Sequence, residues 1–155
     1  MPSALTFIPR DDFAHVVRST PLVSIDLVLR DPSGAVLVGL RTNEPAKGQW
    51  FVPGGRIAKN ERLDEAFSRI LFGETGLSLP RKAALLLGVY EHFYETNRFE
   101  EPGYGTHYVV LGYALELEAR PDIKLDDQHS AIKWMGVPDI LAASDVHENT
   151  KAYFR

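Results

Sequence analysis

At 155 residues, with 45% hydrophobic and 25% charged side chains, the chain has the length of one ordinary domain with its own core, expected to span 1–155. The absence of cysteine excludes disulfides and thiolate metal sites, and makes a reducing compartment, the cytoplasm, the expected location. A net charge of −4 argues against bulk binding to nucleic acid; the opening MPSALTFIPRDDF and the lack of any run near the roughly 20 apolar residues of a membrane span leave neither secretion nor membrane insertion expected.

The first predicted element is a helix over Asp11 to Ser19, with Phe13, Val16 and Val17 on one face and Pro21 marking its end. A strand follows over Leu22 to Leu29, where Ile25, Leu27 and Leu29 alternate with Ser24, Asp26 and Val28. The turn signal Asp-Pro-Ser-Gly at 31–34 joins it to a second strand, Ala35 to Leu40, as a hairpin. A short QWFVP run at 49–53 precedes Gly54 and Gly55, and Asn60 is placed to cap a helix from Glu61 to about Gly73. Leu63, Ala66, Phe67, Ile70 and Leu71 recur at helical spacing as its buried face.

Two longer strands are expected over Ala83 to Thr96 and His107 to Glu118, separated by a loop containing Asn97, Pro102 and Gly103. A last short strand at Ile132 to Met135 leads into two C-terminal helices, VPDILAAS and HENTKAYF. Helices before, between and after strands predict an α+β fold, a mixed sheet enclosed by helices.

From Gly55 to Leu77 the sequence fits, in register over 23 positions, the pattern G-x5-E-x7-R-E-U-x-E-E-x-G-U, with U a bulky aliphatic. Gly55, Glu61, Arg69, Glu74, Gly76 and Leu77 match it, whereas Ile70 and Gly73 stand where the pattern has Glu. Positions 70, 73 and 74 are neighbours on a helix surface, so an acidic patch is reduced to Glu74. A lone carboxylate suits a single Mg²⁺ rather than a cluster, because Mg²⁺ keeps waters and substrate phosphates in its octahedral shell. Arg41, Arg56 and Arg69 supply planar guanidinium forks for an anionic small molecule.

The pattern is the Nudix box, and the chain resembles the GDP-mannose mannosyl hydrolase (GDP-mannose glycosidase) branch of the Nudix hydrolases. That likeness runs through FIPRDDFAHVVRSTPLVS, GLRTNEPAKGQWFVPGGR, GVYEHFY, THYVVLGY, DDQH and DVHENTKAYF. It implies an α/β/α sandwich and a homodimer that hydrolyses a nucleotide sugar, GDP-mannose or also GDP-glucose. In this branch water displaces GDP from the anomeric carbon, so a C–O bond breaks instead of a P–O bond.

By the same resemblance one Mg²⁺, for which Mn²⁺ can substitute, is held by the Gly54 carbonyl, Glu74 and Gln128. His129 is the implied general base, since an imidazole titrating near neutrality can take a proton from water. Asp26 and Tyr108 are placed near the leaving group. Arg69 either contacts the substrate side or orients its neighbours, with an ion pair to Glu65 as the simpler alternative. Phe7, Ile8 and Phe13 match the nucleotide-contacting segment, with core packing as their competing explanation. His92 and His107 are expected to be structural or secondary, and His15 and His147 are assigned no role. An ordinary Nudix pyrophosphohydrolase and an inactive nucleotide-sugar sensor are the alternatives.

Overall fold

The computed structural model describes residues 7–123 and 129–155, the side chains of 129 and 130 excepted. Gln128 lies outside the described residues.

A first helix, α1 (Arg10–Ser19), leads into the strand around which the fold is organised, β1 (Leu22–Arg30). Next come β2 (Val36–Arg41), β3 (Trp50–Phe51), β4 (Gly54–Arg56) and the helix α2 (Leu63–Thr75). The chain continues through β5 (Leu85–Tyr94), β6 (Thr106–Glu116) and β7 (His129–Met135), then closes with α3 (Val137–Ala142), α4 (Glu148–Lys151) and a 3-10 turn at Ala152–Phe154.

The sheet is mixed. β1 runs parallel to β6 along its whole length, from Leu22 opposite Tyr108 to Arg30 opposite Glu116. Its other edge is shared between β4, antiparallel from Ser24 opposite Arg56 to Asp26 opposite Gly54, and β2. The expected hairpin therefore closes only at Arg30 opposite Val36; β2 diverges to pair with β7 and β3, because β4 occupies the edge of β1 that a longer hairpin would need.

Alternation along β1 sorts its side chains onto two faces, and both are covered. Ile25, Leu27 and Leu29 pack with Ala66, Phe67, Ile70 and Leu71 of α2. Val28 packs on the opposite face with Val36, Val38, Ile140 and Tyr153. Helical layers on both faces of a mixed sheet give the expected α+β sandwich, and burying these aliphatic chains supplies its main driving force, about 1.5–3 kcal/mol for each one fully buried.

Several boundaries differ from the sequence expectation. The second helix begins at Leu63, not Glu61, and Asn60 does not cap it: its φ of 67° belongs to a turn in which the Glu61 N–H donates to the Ala58 carbonyl. The Glu61 carboxylate accepts from the Ala58 N–H at 3.0 Å and from Arg69 at 2.7 Å, and this holds residues 58–61 out of the helix. The helix runs past Gly73 to Thr75, stopping at Gly76 in the left-handed region (φ 75°) that glycine adopts without steric cost. A 3-10 turn at Arg81–Ala83 takes the expected start of β5, and β7 begins at His129, ahead of Ile132.

Candidate active site

A cleft of about 970 Å³ opens where β1, β4 and β6 meet α2 and the segment ahead of α1. Its floor is set by the close approach of β4 to β1. A Cβ at Gly54 would run into Asp26 Oδ1 and lie 2.7 Å from the Ile25 carbonyl; one at Gly55 would meet Ile70 Cγ1 at 3.0 Å. Only a glycine pair allows strand, strand and helix to converge here.

The helix side of the cleft is formed by Arg69, Ile70, Gly73 and Glu74. Ile70 is 4% exposed and wedged against Gly55, so the position holds packing in place of charge. Gly73 is different: a Cβ there meets nothing within 4 Å, so the missing carboxylate is not a demand of packing. Arg69 is committed to scaffold contacts. Its Nε donates to Glu61 Oε2 at 2.7 Å and its Nη2 to Glu61 Oε1 at 2.9 Å and to the Arg56 carbonyl at 2.8 Å. It thereby ties α2 to β4, and this bond to Arg69, opposed by burial, keeps the Glu61 carboxyl below its usual range.

Asp26 lies on the floor. Tyr153, from the far end of the chain, donates to Asp26 Oδ2 at 2.6 Å. Burial nevertheless pushes the Asp26 carboxyl up to about 7, against the opposing Tyr153 hydrogen bond and the charge of Arg41. Because this folded value exceeds the unfolded one, the contribution to stability is full below about pH 4 and is lost as pH rises through 7. His92 has the opposite sign: burial, then the nearby His147, lowers it to about 4, so its contribution is lost as pH falls. Comparison with Asp26→Asn isolates the carboxylate. In urea titrations without metal, the variant should match the parent near pH 4 and exceed it above pH 7 by on the order of 4 kcal/mol. A difference independent of pH would contradict this.

The remaining walls bring in the other predicted residues. Arg41 donates from Nε to the Pro45 carbonyl at 3.0 Å and stands opposite His129 in the β2–β7 register. Tyr108, opposite His92 on β5, has its hydroxyl pKa raised, mainly by burial. Phe7, 84% exposed, lines the cleft with Ile8 and Phe13. The Phe13 ring is already engaged, with the Arg56 guanidinium 4.8 Å and that of Arg98 5.2 Å from its centroid. Burial, ahead of neighbouring charges, lowers the Arg56 pKa.

Sequence reasoning gave no place to Phe51, Tyr94 and Arg98, which also line the cleft, or to Tyr153 behind Asp26. His92 is 5% exposed on the cleft wall, and its Nε2 has no partner among the described residues. The motif GVYEHFY marks this stretch, but linear sequence does not tell which of its aromatic faces points inward. His147 stacks on Phe51 at 4.8 Å and accepts from the Asn149 N–H, and His15 accepts from Arg18; both serve local structure.

Glu74 and the Gly54 backbone share the cleft, so an oxygen-ligated divalent ion fits the donors present. Among the described residues no group of three His, Asp or Glu side chains could hold one, and positions 70 and 73 lack carboxylates.

Comparison with known proteins agrees with this architecture. The model of the NUDIX domain matches residues 20–155. The chain is 41% identical over 128 residues, 83% of its length and 79% of the relative's, to the low-salt glycan biosynthesis protein Agl8 of Haloferax volcanii. A shorter likeness, 39% over 70 residues, covers 45% of the chain and 40% of an ADP-ribose pyrophosphatase of Methanocaldococcus jannaschii. The crystal structure of a MutT NUDIX hydrolase from Burkholderia pseudomallei superposes with a TM-score of 0.69 at 25% identity, over 87% of this chain and 96% of that one. With Gly54, Gly55, Arg69 and Glu74 gathered on one cleft, and the family model matched over most of its length, the chain belongs to the Nudix family and is a Nudix hydrolase, a class of enzyme that uses a divalent metal such as Mg²⁺.

Proposed function

We propose that this Nudix hydrolase cleaves a GDP-sugar, GDP-mannose first among candidates and GDP-glucose second, by attack of water on the anomeric carbon, releasing GDP and the free sugar. The observation that carries this is the composition of α2 where it faces the cleft: Ile70 and Gly73 flank Glu74, and no packing constraint explains Gly73. A nucleophile generated at phosphorus calls for a densely ligated metal centre, which this helix does not supply. The likeness to a glycan biosynthesis protein supports a sugar-nucleotide substrate.

Gly54, Glu74 and Gln128 would hold one Mg²⁺. When bound, the ion offsets charge on the departing diphosphate. Arg41 and Arg56 bind phosphate oxygens, while Arg69 holds the Gly54–Arg56 strand in place through its bonds to Glu61 and Arg56. His129 takes the proton of the attacking water. Asp26 and Tyr108 face the leaving group, and Phe7, Ile8 and Phe13 flank the nucleotide, with Phe7 offering the open ring. We place the enzyme as a single domain in the cytoplasm, acting as a homodimer.

One base-activated water, with no carboxylate among the described residues assigned the part of nucleophile, gives a single displacement and so inversion. GDP-α-mannose should yield β-mannose as first product, followed by proton NMR before mutarotation. α-Mannose as first product, or GMP with mannose 1-phosphate, would return the protein to other chemistry; the latter is the outcome favoured by the partial likeness to an ADP-ribose pyrophosphatase.

A further inference from the structure

The connection between β5 and β6 is built on Asn97, which is fully buried. Its Nδ2 donates to the carbonyls of Glu101 and Tyr104, each at 2.9 Å. Its Oδ1 accepts from the N–H groups of Phe99 and Glu101, at 3.1 and 3.2 Å. Thr96 adds a bond from its hydroxyl to Glu44 of the facing loop, at 2.7 Å. The backbone on either side of Arg98 is therefore fixed, and its exposed side chain reaches into the cleft from a rigid base.

The contacts of Arg98 among the described residues are ring faces: Phe13 at 5.2 Å and Phe99 at 5.8 Å. Arg56 approaches the same Phe13 ring, at 4.8 Å, from a position two residues beyond Gly54. Phe13 thus carries two guanidinium groups on one cleft wall. The π system offsets part of their repulsion, and an oxyanion between them would offset more.

We propose that Arg98 is a diphosphate-binding residue, which with Arg56 forms a guanidinium pair braced on Phe13 that takes up phosphate oxygens of the nucleotide. This rests on the reading of the cleft as a nucleoside-diphosphate site, and not on which bond of the substrate breaks. Planar forks suit phosphate oxygens, and a pair held by aromatic contacts loses less freedom on binding than two mobile side chains. The other role open to an arginine here is to read the O6 and N7 edge of guanine.

The test is calorimetric titration with GDP, ADP and inorganic pyrophosphate, in Mg²⁺, of the parent protein, Arg98→Gln and Arg98→Lys. The Gln variant should bind all three about 10-fold more weakly, the Lys variant should fall between it and the parent, and neither should shift the unfolding midpoint. Unchanged affinity overturns the proposal, as does failure of pyrophosphate to bind the parent protein. A loss confined to GDP assigns Arg98 to the base, and a lowered midpoint in both variants assigns it to packing; either result also overturns it. If the site breaks a P–O bond after all, the products reveal it while these affinities stand.

Discussion

Glu74→Gln should lower kcat by roughly 10³-fold or more at saturating GDP-mannose, with Mg²⁺ dependence shifted to much higher concentration. In a helix with three carboxylates at 70, 73 and 74, loss of one leaves two to compensate; here Ile70 and Gly73 leave none. The swap keeps shape and removes charge. An amide oxygen is a poorer ligand for a hard cation, so the loss falls on metal affinity and on stabilisation of the departing diphosphate together. Steady-state kinetics across a Mg²⁺ titration measure both. Parent protein should show dependence on a single ion per site, and a variant with parental kcat at ordinary Mg²⁺ would remove Glu74 from the metal site.

The second large effect is expected at His129. His129→Gln should reduce kcat by roughly 10² to 10⁴, the range for loss of a positioned proton acceptor, with Mg²⁺ affinity unchanged. The backbone of His129 opens β7 opposite Arg41, which lines the cleft. The parent's rate should fall toward acid pH as the imidazole is protonated, and the variant should lose that limb. His92 is not the source of such a limb, because burial holds it near 4. Asp26 titrates closer, near 7, so Asp26→Asn serves as control: it should retain the limb if His129 is the base. An unaltered kcat in His129→Gln across the pH range would exclude this histidine.

What the sequence revealed, and what it hid, follows the range of the interactions involved. Alternation along Leu22–Leu29 and the helical spacing of Ala66, Phe67, Ile70 and Leu71 predict elements that pack together as one core. Box spacing brings Gly54, Arg56, Arg69 and Glu74 to one cleft because all lie on a strand, turn and helix adjacent in the chain. Asn60 misled because its capping propensity is local, whereas the carboxylate of Glu61, bridging Ala58 and Arg69, decides the backbone there. The hairpin forms only in part for a similar reason: a turn signal specifies β1 followed by β2, but not that β4 takes the edge between them.

The hidden residues are those brought in over distance. Tyr153 reaches Asp26 across 127 positions, and no pattern near either residue announces the pair. Gly112 shows the same limit: a Cβ there would press on the Tyr153 ring at 2.7 Å. Arg98 sits in a stretch whose Pro and Gly mark a loop. The buried hydrogen bonds of Asn97, formed inside the loop, are what linear sequence does not show, and they hold it rigid enough to present a side chain.

The proposed reaction places the attack of water on carbon. It is tested most directly by turnover of GDP-mannose in ¹⁸O-water with Mg²⁺, with both products analysed by mass spectrometry at low conversion, before label exchanges into the free sugar. Attack at carbon places one ¹⁸O at the anomeric hydroxyl of mannose and leaves GDP unlabelled. Label in a phosphate group would contradict it.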